Sequence, residues 1–285
     1  MPETRGSSRW LGFVGLAALV AASLAAQPAQ AGQVTASSVL TLGNNAPTVT
    51  YSLNGAAPRT VYAGAFTTTI QTSSVAWLPA GTALETYCVD LSINLSSGTV
   101  TPAEVSQTNV ASLNDANSVA RNIGAAGWVL SNYGVYGETV GATASGLLND
   151  LNLTSASLND GNNWSDARAE AAIQVAIWKA AYDSNSTDVS TGDLEFTSIN
   201  ADVATVANAI LVARGVKTAV IGFVNYPPIL NGAQTPINQD QIFVLPDGSL
   251  QAIPEPSTLA MAAFGGLIGL GMLGRKRLRE RKAAA

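Results

Sequence analysis

Two kinds of hydrophobic spacing divide the chain. Up to residue 91, apolar and β-branched residues alternate with polar ones in short runs that glycine, asparagine and proline separate. This pattern predicts strands joined by turns. Strands are predicted at 34–42, 48–53, 61–70, 75–78 and 84–91, and again at 218–224 and 241–245.

Between these two groups of strands, apolar residues recur every three or four positions, which is typical of helices. Helices are predicted over 118–133, 165–183 and 200–214, with glycine after the first and the last. The order of elements predicts an α+β fold, in which a β-sandwich or barrel core carries an inserted helical portion. One globular domain is expected over residues 32–250, a length that can bury a substantial core.

The first 31 residues have the three parts of a secretory signal peptide. Arg5 and Arg9 precede an apolar stretch, and Ala29-Gln30-Ala31 supplies a small-x-small cleavage pattern. We therefore expect residues 1–31 to direct export and to take no part in the fold. A short N-terminal membrane anchor is the alternative interpretation.

The C-terminal segment, residues 253–282, combines Pro254-Glu255-Pro256, an apolar stretch and a basic tail. The apolar stretch, residues 257–274, would form a helix of about 27 Å, enough to span a thin membrane. The basic tail is expected to remain cytoplasmic, which leaves the domain outside.

This arrangement resembles the PEP-CTERM sorting signal of exported bacterial proteins. The resemblance implies that an exosortase-type protease recognises Pro254, Glu255 and Pro256 and removes the helix after transient anchoring in the inner membrane. An ordinary single-span anchor predicts the same topology without the cleavage.

Charge and composition narrow the functional classes. Residues 32–253 contain sixteen acidic and six basic side chains, a balance that argues against nucleic acid as a partner. The chain has no histidine, so a Ser-His-Asp triad is excluded, and no phosphate-binding or zinc-binding motif is present. The Asn/Asp-rich run at 158–163 lacks EF-hand spacing and is interpreted as a turn. No metal and no cofactor are therefore predicted.

The chain has one cysteine, Cys88, which cannot form an internal disulfide bond. It lies in Tyr87-Cys88-Val89-Asp90, and a second motif, Gln174-Val175-Ala176-Ile177-Trp178, follows 86 residues later. The two motifs resemble the signatures of bacterial thioester domains, in which the glutamine side chain acylates the cysteine sulfur. The resemblance implies a Cys88–Gln174 thioester that captures amine or hydroxyl nucleophiles. Ile173 departs from the family pattern, which commonly has threonine or serine before the glutamine.

Helical geometry supports the site. At 100° per residue, Gln174 lies on the apolar face of the predicted helix, with Trp178 one turn later. Trp178 and Tyr87 are expected to shield the thioester from water. Asp90 or Glu170 is a candidate proton acceptor, although Asp90 is also interpreted as a residue that caps a turn at the strand end.

Two functions remain open at this point. The first is an exported cell-surface or matrix protein that attaches covalently through its thioester; because each molecule reacts once, it is not predicted to be an enzyme. The second is a non-covalent structural or adhesive β-domain. In this alternative, Cys88 is a small buried hydrophobic residue and Gln174 hydrogen-bonds to the backbone.

Overall fold

The computed structural model describes residues 32–36, 41–42, 46–92, 102–108, 110, 112–115, 117–134, 144–160, 163–225 and 239–244. In these residues the chain forms twelve strands and four helices. The strands are β1 Gly32–Ala36, β2 Thr41–Leu42, β3 Thr48–Leu53, β4 Arg59–Tyr62, β5 Phe66–Ser73, β6 Ala83–Cys88, β7 Pro102–Thr108, β8 Leu113–Asn114, β9 Ala120–Arg121, β10 Leu194–Ser198, β11 Ile221–Asn225 and β12 Gln241–Phe243. The helices are α1 Ile123–Tyr133, α2 Ala144–Asp150, α3 Asp166–Tyr182 and α4 Ala201–Arg214, with a short 3₁₀ turn at Ser155–Ser157.

The main sheet curls into a closed ring of six strands. Its order is β1-β7-β11-β12-β6-β5, and β1 also pairs with β5, which closes the ring. Strand β2 pairs with the first two residues of β5. Every pairing in it is antiparallel. The sequence predicted a sandwich or a barrel, and this sheet has the closed, barrel-like form. The α+β prediction is confirmed to the extent that the structure contains both antiparallel sheets and helices.

A second, three-stranded sheet has the order β10-β3-β4. Tyr51 on β3 lies directly opposite Phe196 on β10, and their rings are 6.4 Å apart. Both side chains are buried and face the helices rather than the solvent. Strand β10 thus joins the helical part of the chain to the N-terminal strands.

Helix α3 lies at the centre of the helical portion and packs against both α1 and α4. It is rich in alanine, which lets its neighbours approach closely, and its C-terminal half is buried on every side. Even the charged Lys179 is fully buried, and its ammonium binds Asp183 Oδ2 at 2.7 Å and the carbonyls of Thr191 and Leu194.

The helices predicted over 165–183 and 200–214 are confirmed, and strand 48–53 is confirmed with the same bounds. The strand predicted at 75–78 is wrong. That segment forms a turn, closed by the Leu78 N–H donating to Val75 O at 3.3 Å, which directs both apolar side chains into the ring. The strand predicted at 61–70 is interrupted by residues 63–65.

Apolar side chains form two separate interiors. The larger, called the helical core below, surrounds α3 and includes Cys88 and Ile242. The smaller, called the ring interior, comprises side chains from the ring strands and the 75–78 turn. Its members are Ile70, Val75, Leu78, Leu84, Val105 and Phe243, with Trp77 packed against them. Because successive strand residues face opposite sides, Ile242 and Phe243 belong to different interiors.

Several sequence predictions lie outside the residues that the structure describes. They are the signal peptide at 1–31, the sorting residues Pro254, Glu255 and Pro256, and the apolar helix at 257–274. Within the described ranges, no helix combines the length and the apolar character that crossing a membrane requires.

Candidate functional site

Cys88 is the last residue of β6, where it pairs with Gln241 on β12. The residue is 1% exposed. The sulfur lies in a tight turn formed by the residues that follow: the thiol donates to Asp90 O at 3.2 Å, and the Asp90 N–H points back to the sulfur at 3.4 Å. The strand end therefore fixes the direction of the sulfur.

Gln174, in the middle of α3, is completely buried and meets Cys88. The Cys88 N–H donates to Gln174 Oε1 at 3.1 Å, and Gln174 Nε2 donates to Cys88 O at 2.8 Å. The strand and the helix thus meet as the paired motifs imply. These are also the backbone hydrogen bonds that the non-covalent alternative expects.

Burial raises the pKa of the Cys88 thiol well above its usual value, and the Asp90 carboxylate acts in the same direction. Hydrogen bonds from the Asp90 backbone and the Trp178 side chain oppose this rise, as does the positive charge of Arg121. The thiol therefore keeps its proton at neutral pH, and a reaction at the sulfur requires an acceptor for that proton.

Trp178 follows Gln174 by one helical turn and is 2% exposed. Its ring stacks on Phe196, with centroids 6.4 Å apart, in a position that covers the sulfur side of the site. The indole N–H is buried and makes no hydrogen bond of good geometry, yet it is close enough to lower the pKa of Cys88. Trp178 therefore lies where the sequence predicted a shield.

Tyr87 is buried, but its side chain points away from the face of β6 that carries the Cys88 side chain. Neighbouring residues of a strand face opposite sides, and the Tyr87 hydroxyl donates to Glu85 Oε1 at 3.0 Å. The tyrosine that lies near the sulfur is Tyr51 of β3, whose hydroxyl donates to Leu91 O at 2.7 Å and whose pKa is raised by burial and by proximity to Cys88. Its sequence signal was ordinary strand alternation, so sequence reasoning missed it.

Asp90 has the role of a turn cap. Its Oδ1 accepts from the N–H of Ser92 at 2.8 Å and from the Ser92 hydroxyl. Burial raises the pKa of Asp90, while Ser92 and Arg121 oppose the rise. Asp90 contacts the sulfur through its backbone, and these contacts correspond to the capping interpretation.

A buried polar network holds the segment after Cys88 in place. Arg121 forms an ion pair with Asp240 at 2.8 Å and donates to Val89 O at 3.3 Å. The Tyr182 hydroxyl accepts from the Leu91 N–H at 3.0 Å and donates to Asp115 Oδ2 at 2.9 Å. These contacts hold Val89 and Leu91, the residues on either side of Asp90, against β9 and the end of α3. Sequence reasoning missed the network because its members are far apart in the chain.

Glu170 precedes Gln174 by one turn and is half-buried. Burial raises its pKa to about 7, while a hydrogen bond from the Ala65 backbone opposes the rise. Asp166, one turn earlier and exposed, adds a small further increase. A carboxyl with such a pKa can exchange a proton at neutral pH.

A cavity of about 380 Å³ opens at the N-terminal end of α3. The Trp164 indole N–H donates to Ala144 O at 2.9 Å and Asp166 Oδ1 accepts from Ala144 N at 3.0 Å, which fixes two of its walls. Its lining is Ala144, Ser145, Leu148, Ser155, Trp164, Ser165 and Asp166. Across the part of the chain that the structure describes, no cluster of acidic or cysteine side chains could hold a metal ion.

The fold and site define an α+β domain in which a strand-borne cysteine meets a helix-borne glutamine. A family comparison agrees with this description: the thioester domain family model matches residues 85–214, from β6 to the end of α4. The match includes Cys88, Gln174 and Trp178, and it supports a thioester domain protein. No curated protein and no solved structure gave a match.

Proposed function

We propose that this protein attaches covalently to its target through an internal thioester between Cys88 and Gln174. The observation that carries the proposal is the pair of hydrogen bonds that hold the Gln174 carboxamide against the Cys88 backbone, at 3.1 and 2.8 Å. The family match over residues 85–214 supports the same chemistry.

The contacts suit formation of the bond. The Cys88 N–H polarises the Gln174 carbonyl and would stabilise negative charge on Oε1 as the sulfur attacks. The Sγ–Cδ bond forms, the Cδ–Nε2 bond breaks, and the amide nitrogen leaves with the thiol proton as ammonia. Because the carboxamide is already held against the backbone of the residue that carries the sulfur, proximity would contribute most of the acceleration.

The buried position of the site would protect the thioester from hydrolysis once it has formed. Gln174 is fully buried and Trp178 is 2% exposed, so bulk water does not reach the carbonyl freely. A nucleophilic amine or hydroxyl of a surface or matrix component would then attack Cδ and release the Cys88 thiol. Each molecule reacts once, so this is attachment rather than turnover.

Intact mass of the purified protein tests the proposal. The wild-type chain should be lighter than its sequence by one ammonia, and Cys88→Ala should restore the full mass. Methylamine should add to Gln174 in the wild type and not in Cys88→Ala. An unmodified wild-type mass, together with complete labelling of the thiol after unfolding, would contradict the proposal.

The non-covalent alternative is a structural or adhesive domain with an inert thiol. It is favoured by one sequence feature, Ile173 before the glutamine, and by the hydrogen bonds that pair the carboxamide oxygen and nitrogen with the Cys88 backbone. The mass measurement separates the two functions directly.

We further infer that the protein is exported and sorted by an exosortase-type protease. Support comes from the sequence of residues 1–31 and from the order of the three parts in residues 253–282. The domain would then act at the cell surface or in the extracellular matrix. In cells that contain the protease, the mature protein should lack residues 257–274, and Glu255→Ala should retain them. Full-length protein in such cells would favour a plain anchor.

A further inference from the structure

We propose that Glu170 is the proton acceptor for the nucleophile that opens the thioester, and that the nucleophile approaches along one ridge of α3. The inference rests on the proposed thioester and assigns a role to a residue outside the Cys–Gln pair.

The ridge is a row of side chains spaced four residues apart, in which each side chain is a neighbour of the next and the row winds gradually around the helix. Exposure falls along it from the N-terminal end of α3 to Gln174. The first residue is exposed, the second is half-buried, and the third and fourth are 0% and 2% exposed; they are Asp166, Glu170, Gln174 and Trp178. The row therefore leads from solvent to the carbonyl of the proposed thioester.

The outer end of this row has room for a ligand. Asp166 lines the cavity of about 380 Å³ at the start of α3. Trp178 closes the inner end, where it stacks on Phe196. Glu170 lies between Asp166 and Gln174 in the row and is the more exposed neighbour of Gln174, since Trp178 on the other side is 2% exposed.

Glu170 is held at this position by the segment between β4 and β5. The Ala65 backbone N–H hydrogen-bonds to its carboxylate. The neighbouring Gly64 contributes no side chain, and a Cβ built there would lie 3.7 Å from Glu170 Oε2. That segment, residues 63–65, carries no titratable side chain, and the charged group that acts on Glu170 from its own helix is Asp166.

Other acidic side chains near the site are already paired with hydrogen-bond donors or with Arg121. The Asp90 carboxylate accepts two hydrogen bonds from Ser92 and lies 3.8 Å from Arg121. Asp240 forms an ion pair with the same arginine. Since the chain has no histidine, Glu170 is the acid whose pKa, about 7, best suits proton transfer at neutral pH.

The step balances without a further reactant. The lone pair of a neutral amine attacks Gln174 Cδ, and the Cδ–Sγ bond breaks with its electron pair on sulfur. Glu170 accepts one N–H proton of the attacking amine and then returns it, so that Cys88 ends as a thiol. The products are an amide at Gln174 and a free cysteine.

The test is the rate of methylamine addition to the full chain between pH 5 and 9, followed by intact mass. Each rate is divided by the free-amine concentration, which removes the titration of methylamine itself. The wild type should retain an inflection near pH 7. Glu170→Gln should still lose ammonia on folding, lack the inflection, and react about 10²-fold more slowly at pH 8. Glu195→Gln, the same change at an exposed site on β10, should behave as wild type.

The outcomes separate the two levels of inference. A wild-type chain that never loses ammonia contradicts the thioester itself. A Glu170→Gln chain that forms the thioester and retains both the wild-type rate and its pH profile overturns the role of Glu170 alone. If the variant does not fold or does not form the bond, the wild-type profile decides: a corrected rate that is flat around pH 7 also overturns it.

Discussion

The ring interior and the helical core bury side chains of different kinds. The ring interior is lined by apolar side chains, with Phe243 at its centre. The helical core contains Cys88 and Gln174, and beside them lie the fully buried charges of Arg121 and Lys179. The ring interior is therefore stabilised mainly by packing, with one buried polar pair on its strands, Thr86 and Gln241, whereas the helical core depends on pairing buried charges with one another. The pair proposed to react lies in the helical core, where hydrogen bonds hold the backbone of Cys88 and of the residues that follow it.

The largest expected effect concerns the proposed bond within the helical core, which would link β6 to α3. A cross-link between residues 86 positions apart restricts the unfolded chain by about 4.6 kcal/mol, by the loop-closure relation used for disulfides. Opening it with methylamine should reduce the free energy of unfolding by about that amount. Urea unfolding of treated and untreated wild type measures the difference, with Cys88→Ala as the control that methylamine should not affect. Equal stability before and after a confirmed adduct would contradict the prediction.

Loss of Phe243 tests the ring by itself. The side chain is fully buried, so Phe243→Ala should destabilise the protein by about 3–5 kcal/mol through lost contacts and a cavity. The loss should be nearly the same at pH 5 and pH 8, because no titratable group belongs to this cluster among the described residues. A strong pH dependence in urea unfolding would show that the two interiors are coupled.

Loss of Arg121 tests the helical core. Arg121→Met leaves Asp240 and Asp90 without their cation and should destabilise the fold by about 3–5 kcal/mol at pH 7. The two carboxylates then take up protons more readily, so the penalty should shrink as the pH falls toward 5. Urea unfolding at both pH values measures this, and Phe243→Ala serves as the pH-independent reference. A penalty that grows at acid pH would contradict the assignment.

A smaller effect is expected where β11 packs against the Phe243 ring. A Cβ at Gly222 would lie 2.6 Å from the Phe243 ring, so Gly222→Ala should force the ring aside and destabilise by about 1–3 kcal/mol. The double variant with Phe243→Leu should recover part of the loss, because leucine leaves space over the strand. If the loss of stability in the double variant equals the sum of the losses in the two single variants, the contact between residues 222 and 243 is contradicted.

The smallest effect concerns the pH dependence that Glu170 adds. Its pKa in the folded protein, about 7, lies above the ordinary value of 4.5, so the folded state binds the proton more tightly. Its contribution to stability is therefore fully present below pH 4.5 and declines as the pH rises to about 7. Glu170→Gln should flatten this part of the profile, measured by urea unfolding against Glu195→Gln. If the free energy of unfolding changes with pH in the same way in Glu170→Gln as in the wild type, Glu170 has an ordinary pKa.

Local patterns in the chain predicted much of the fold. Helix α3 begins and ends within a residue of its predicted bounds, because its cap and its apolar spacing are local properties. Strand β7 was missed: its sequence, Pro-Ala-Glu-Val-Ser-Gln-Thr, has one β-branched apolar residue, and pairing with β1 and β11 stabilises it. The site was predicted through resemblance to a family, since no spacing rule brings residues 86 positions apart into contact.

By itself, the sequence determined the α+β class, the apolar face that carries Gln174 and the acidic character of the domain, because periodicity and charge are read along the chain. Only the tertiary structure decided that the sheet closes on itself, that Tyr51 rather than Tyr87 lies by the sulfur, and that Arg121 and Tyr182 hold the residues on either side of Asp90. These features depend on long-range pairing. The hydrogen bonds and the pKa of a buried side chain depend on the groups around it, and the tertiary fold determines which groups those are.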